Sequence, residues 1–339
     1  MTDRRQAGGL AAAAAVIVML LSPACGVTPD PPRAAPYPTP SAIAAPTLPA
    51  SPVPRSSVAA PSSAAPPSPV SPSPRPAIDR ERYPWLAGAT DLAPVDALED
   101  RIAPPPGFSR VSIAKDAFGA WLRRLPLVAP GTPVLSHRGG VILPADHDNL
   151  AAVVALDIGN QDLQQCADSL IRLHAEWRWS QGHRDQSYQA ADKTPMPFER
   201  WARGERVVGQ GRSIAWTPAA RRPDSSHVAF RAYLDAVFGW TNTVALARDT
   251  VPVALADLRP GDFVVQPGNP GHAVIVLDLA TAPDGRRAVL LGQGFMPAQN
   301  FQVLRPSPES AWFILAPDAL KTPFWPAFLW SSLHRFPGS

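Results

Sequence analysis

Three residues stand at spacings that permit acyl-transfer chemistry: Cys166, His272 and Gln293. Cys166 sits in "DLQQCADSLIRLHAEW", where Leu163, Cys166, Leu170, Leu173 and Trp177 recur at helical spacing. The pattern predicts a helix from Asp162 to about Trp177, with Asp162 as N-cap. A thiol near a helix N-terminus is shifted toward thiolate by the macrodipole and the free N–H groups. A nucleophile of this kind needs a base. Of seven histidines, His272 is best placed, because it opens a strand directly after the turn-forming "GNPG". A base in turn needs its second ring nitrogen held. Gln293, on the next predicted strand, offers an amide for that. Asp278 shares a strand face with His272 but lies about 20 Å along it, too far to orient the ring.

A plainer reading stands beside this one. Cys166 falls on the same stripe as Leu170 and Leu173, where a cysteine serves as a small core residue. With Asp162 as N-cap its N–H is already bonded within the helix and is no oxyanion donor. Gln165, beside the thiol, and Gln299, in "QGFMPAQ", are the candidate substrate-binding amides. Asp146, His147 and Asp148 read as a turn, since no second histidine stands at metal-ligand spacing. No metal and no cofactor is expected.

The elements that position these residues read as α+β, with helices packed on an antiparallel sheet. A strand at Phe108–Ile113 precedes a short helix through Phe118, Trp121, Leu122 and Leu125, ended by Pro126. "TPVLSHRGGVILPA" signals a hairpin around Gly139–Gly140, and "LAAVVALDIG" a buried strand. After the cysteine helix, "FERWARG" and "RVVGQGRSIAW" pair as a hairpin. A helix capped by Asp224 or Ser225 runs to Phe238, with Val228, Tyr233, Leu234 and Val237 to one side, and "TNTVALARD" is a short further helix. "RPGDFVVQPGNPGHAVIVLDLA" reads as strand, turn, strand. "RRAVLLGQGFM" adds a third strand and "SAWFILAP" a fourth.

Composition separates this part from what precedes it. Seventeen of the 43 prolines fall between Gly26 and Arg80, whereas all ten tryptophans begin at Trp85. Residues 26–78 are expected to form a Pro/Ala/Ser-rich tether that cannot bury enough apolar surface to fold. Residues 79–339 are expected to form one globular domain. Net charge is +3 with only three lysines and no basic run, which argues against nucleic acid as a partner. Residues 1–25 combine Arg4 and Arg5 with an apolar run from Leu10 to Leu21, too short to span a bilayer, as in a signal peptide. The following "LSPACG" resembles a bacterial lipobox, which implies lipidation of Cys25 and a membrane-anchored or periplasmic, cell-surface location.

Two family resemblances add to this. "RPGDFVV", "GHAVIV", the cysteine helix and Gln293 resemble the papain-like NlpC and CHAP cell-wall peptidases and amidases over 162–169 and 259–278. This resemblance implies a papain-like fold, with Cys166 as nucleophile, His272 as general base and Gln293 as orienter. It implies action on peptide or amide bonds of a cell-wall polymer or envelope peptide. A broader resemblance, over 83–336, rests on "DLQQCAD", "PGHAVIV", "MPAQ", "FRAYL" and "TPFW". These look like the bacterial domain of unknown function 4846 family, which implies no activity. The alternative expectation is a non-catalytic binding or scaffolding domain tethered to the envelope.

Overall fold

A strand of ten residues, His272 to Thr281, seven of them apolar, is buried from its first residue to Ala280. A strand so continuously apolar must be covered on both faces. The computed structural model describes residues 78–87 and 92–339, and places this strand at the centre of a nine-stranded, wholly antiparallel sheet. The strands that matter to the site are β1 (Leu150–Val153), β2 (Phe263–Gln266), β3 (His272–Thr281), β4 (Arg287–Gln293) and β5 (Gln302–Leu304). Then come β6 (Ala319–Thr322), β7 (Trp325–Leu329) and β8 (Leu333–Arg335). The sheet order is 251–252, β8, β2, β3, β4, β5, β1, with 109–110 paired to β3 and 313–314 to β4. Strands β6 and β7 form a separate hairpin.

Four helices bear on the site: α1 (Phe118–Arg123), α2 (Cys166–Ser180), α3 (His227–Phe238) and α4 (Thr243–Arg248). One face of the sheet, with Ala273, Ile275 and Leu277 of β3, shares a core with Leu170 and Leu173 of α2 and Trp121 of α1. The other face, with Val274, Val276 and Leu291, shares a second core with Leu320 and Phe328 of the β6–β7 hairpin. Each fully buried leucine or phenylalanine contributes roughly 1.5–3 kcal/mol. A β-bulge between Val276 and Asp278 interrupts the alternation. It turns Asp278, 1% exposed, onto Arg110 at 2.6 Å and Arg123 at 2.5 Å. That pairing ties α1 and the 109–110 strand to the sheet.

The α+β class is as expected, and several element boundaries are not. Helix α2 begins at Cys166 rather than Asp162. Asp162 cannot cap it, because its Oδ1 accepts from Gln165 Nε2 at 2.9 Å and from Ala298 N at 2.7 Å. Gln165 is the N-cap and forms a capping box with Asp168. Helix α3 is capped by Ser226, which accepts from Ala229 N at 3.2 Å; Asp224 instead accepts from Ser226 N. Val228, expected on the buried side of α3, is 79% exposed. "FERWA" is a helix (Phe198–Ala202), and "RVVGQ" pairs with "SIAWT" about Gly211, whose φ of +65° suits the tight turn. The signal peptide, the lipobox cysteine Cys25 and the tether lie outside the described residues. Among the described residues no helix is long and apolar enough to cross a membrane.

Candidate active site

The start of α2 at Cys166 leaves the N–H groups of Cys166 and Ala167 without helical partners, the first helical bond in this turn being Ser169 N to Gln165 O at 3.0 Å. The thiol is 4% exposed and donates to Gly271 O at 3.8 Å. Burial pushes it up to about 11, and the nearby Asp168 adds to the rise; backbone N–H groups of Ala167, Ala273 and Cys166 itself offset part of it. Cys166 lines a cleft of about 340 Å³ between the N-terminus of α2, the start of α4 and the turn before β3; Gln165, Asp168, Thr241, Asn269 and Met296 share the lining.

His272 and Gln293 are brought together. Gln293 Oε1 lies 2.8 Å from His272 Nε2, and both residues are 0% exposed. Because an amide oxygen only accepts, Nε2 carries the ring's N–H and donates it, which leaves Nδ1 as the basic nitrogen. Nδ1 has no hydrogen-bond partner. Aromatic rings exclude water from the pair: Phe295 is 4.7 Å from the imidazole centroid and Trp325 4.9 Å. Burial pulls the imidazole down to about 4, with the Gln293 bond opposing the fall. The ring is therefore neutral at pH 7.

Cys166 and His272 reach the same stretch of chain from different sides. A Cβ built on Gly294 would fall 2.2 Å from Ser169 Oγ, so residue 294 faces α2. Gln293 therefore faces away from α2, and His272 goes with it, toward Trp325 and Phe328. The sulfur instead lies against the backbone on either side of His272, at Gly271 O and Ala273 N–H. No hydrogen bond joins sulfur to imidazole. The meeting point is the first residue of β3: the sulfur touches the backbone that flanks it, while its ring lies on the opposite face of the sheet.

The two expected substrate-binding amides are placed differently. Gln165 lines the cleft, but its Nε2 is committed to Asp162. Gln299 is 0% exposed, with neither amide atom bonded, next to a bridge to Ser136. Two cleft residues went unnoticed in the sequence. Asp168, 7% exposed, has its carboxyl pushed up to about 7 by burial; it accepts from Gln165 N at 3.1 Å and Thr241 Oγ1 at 3.2 Å. Its place three residues after a capping glutamine was the available signal. Thr241 had none, since it reaches the cleft only through the α3–α4 turn. His147, at the expected turn, accepts from Asn149 N, and no cluster of His, Cys, Asp and Glu among the described residues is arranged to hold a metal.

The model of one family, described as a domain of unknown function (4846), matches residues 98–335. That range includes every residue of the cleft and of the His272–Gln293 pair. No curated protein and no solved structure matches the chain.

Proposed function

We propose, from the premise that this chain belongs to the domain of unknown function 4846 family, that it is a cysteine hydrolase or acyl transferase with Cys166, His272 and Gln293 as its reacting set. The observation that carries the reading is the 2.8 Å contact from Gln293 to His272 Nε2, which leaves Nδ1 unpartnered beside the backbone that the Cys166 sulfur touches. In this reading the substrate carbonyl enters the 340 Å³ cleft. His272 Nδ1 takes the thiol proton while Sγ bonds to the carbonyl carbon. The C–N bond then breaks, the proton passes from Nδ1 to the departing amine, and an acyl-thioester remains on Cys166. Water, deprotonated by the same nitrogen, releases the acid. The free N–H groups of Cys166 and Ala167 face the developing oxyanion. The resting site holds a protonated thiol and a neutral imidazole on opposite faces of the sheet, so in this reading substrate entry must turn the ring off Gln293 and toward the sulfur before the proton moves. A papain-like architecture belongs to this proposal, as does action on peptide or amide bonds of the cell wall. So do export and lipid anchoring through Cys25, which rest on the N-terminal sequence.

The second reading is a tethered, non-catalytic binding domain. It is favoured by the burial of Cys166 and its bond to Gly271 O, which suit a structural thiol. The deciding experiment incubates the protein, Cys166→Ala and His272→Ala with peptidoglycan fragments and peptide amides, and follows released amine. Amine release by the parent protein and its loss in both folded variants supports the hydrolase. A fully active Cys166→Ala ends it.

A further inference from the structure

Gln293 and Gln302 stand directly opposite one another on β4 and β5. Opposed residues of an antiparallel pair keep their Cβ atoms about 5 Å apart, so two amide side chains can reach each other. Both are 0% exposed, and Gln293 Nε2 and both amide atoms of Gln302 have no hydrogen-bond partner. A buried amide at this position is costly, and leucine would fit the same apolar face. The amide therefore calls for a role.

That role follows from what Gln293 does to the imidazole. An amide can meet His272 Nε2 with its oxygen or, flipped, with its nitrogen. The oxygen requires a ring protonated at Nε2 and leaves Nδ1 basic; the nitrogen requires the opposite tautomer and removes the base. Nothing bonded to Gln293 Nε2 otherwise holds the flip. We infer that Gln302 is a positioning residue: with its amide turned toward the opposed Gln293, its Oε1 accepts from the now unpartnered Gln293 Nε2, locking Gln293 Oε1 onto His272 and so fixing Nδ1 as the basic nitrogen. The result is a chain of three side chains across β5, β4 and β3. The inference rests on His272 as the base of the proposed reaction, yet its primary readout does not need that reaction.

The test is ¹⁵N NMR of the His272 ring in the full chain, for the parent protein, Gln302→Leu, Gln302→Met and Gln302→Glu, with amine release from peptide amides measured alongside. The parent ring is expected to carry its proton on Nε2 alone. Gln302→Leu and Gln302→Met should give a mixture of tautomers and an amine-release rate lower by about twofold, since about half the molecules then lack the basic Nδ1. Gln302→Glu, which keeps an accepting oxygen, should restore both. If Gln302→Leu does not fold, Gln302→Met gives the same readout. A folded Leu or Met variant with an unchanged tautomer overturns the inference. A changed tautomer with unchanged amine release upholds the role of Gln302 and ends the Cys–His reading instead.

Discussion

Replacing Asp168 by asparagine should stabilise the protein by an amount that grows as pH rises. In the folded state burial holds the Asp168 proton to about pH 7, against 3.8 for an ordinary aspartate. Between those values the folded protein carries a proton that the unfolded chain has lost. The group's favourable contribution is thus complete below about pH 3.8 and is lost as pH rises through about 7. The gap corresponds to ~4 kcal/mol, at ~1.4 kcal/mol per pH unit. Asparagine fixes the uncharged form and keeps an oxygen for Gln165 N. Its NH₂ can donate to Thr241 Oγ1 once that hydroxyl turns. His272 and His174, pulled down by burial to about 4 and about 3, act in the opposite sense, adding stability as pH rises toward 6.5. They are common to both proteins and cancel in the difference. The assay is urea unfolding of both from pH 5 to 9. At pH 5 Asp168→Asn should already be the more stable by ~1.5–2 kcal/mol, and at pH 8.5 by up to ~4 kcal/mol. Because Asp168 also raises the thiol, the Cys166 titration should move down in the same variant. A stability difference flat across this range refutes a buried, protonated Asp168.

Two further substitutions test the packing around the site. Gly294→Ala would place a methyl 2.2 Å from Ser169 Oγ and 2.8 Å from Gln165 O, forcing the N-terminus of α2 off the sheet. A loss of ~1–3 kcal/mol is expected in urea unfolding, and an unchanged midpoint would mean that α2 does not lie against residue 294. Gln299→Leu removes two fully buried, unpartnered amide atoms and should raise stability by ~1 kcal/mol or more, read from the melting temperature. A lower melting temperature would show that the amide is bonded in solution.

The strands around the site were legible because period and punctuation agree there. "GNPG" and the Asp284–Gly285 turn bracket β3, and His272 and Gln293 meet as their strand positions imply. The reach of Cys166 was only partly legible. Helical spacing put it on α2, but the start of the helix depends on Asp162, which is drawn to Ala298, more than a hundred residues away. No local propensity encodes that competition. The side of the sheet taken by His272 was likewise hidden. A buried strand is apolar on both faces, so alternation carries no inside or outside, and the answer came from Gly294, whose missing side chain makes room for Ser169. Val228 failed for the converse reason: an apolar residue near a helix start fits the periodic stripe yet stays in solvent.

Strand β8 ends four residues before the C-terminus but is not an edge strand. It lies between 251–252 and β2, with Arg335 reaching Asp262 at 2.6 Å. A chain in which residues 333–335 have not yet paired therefore has a gap inside its sheet, and until they do β2 offers an open row of peptide groups to any passing strand. Losing residues 333–335 would open the sheet in its interior rather than trim its edge, and its completion waits on the slow search typical of distant pairings.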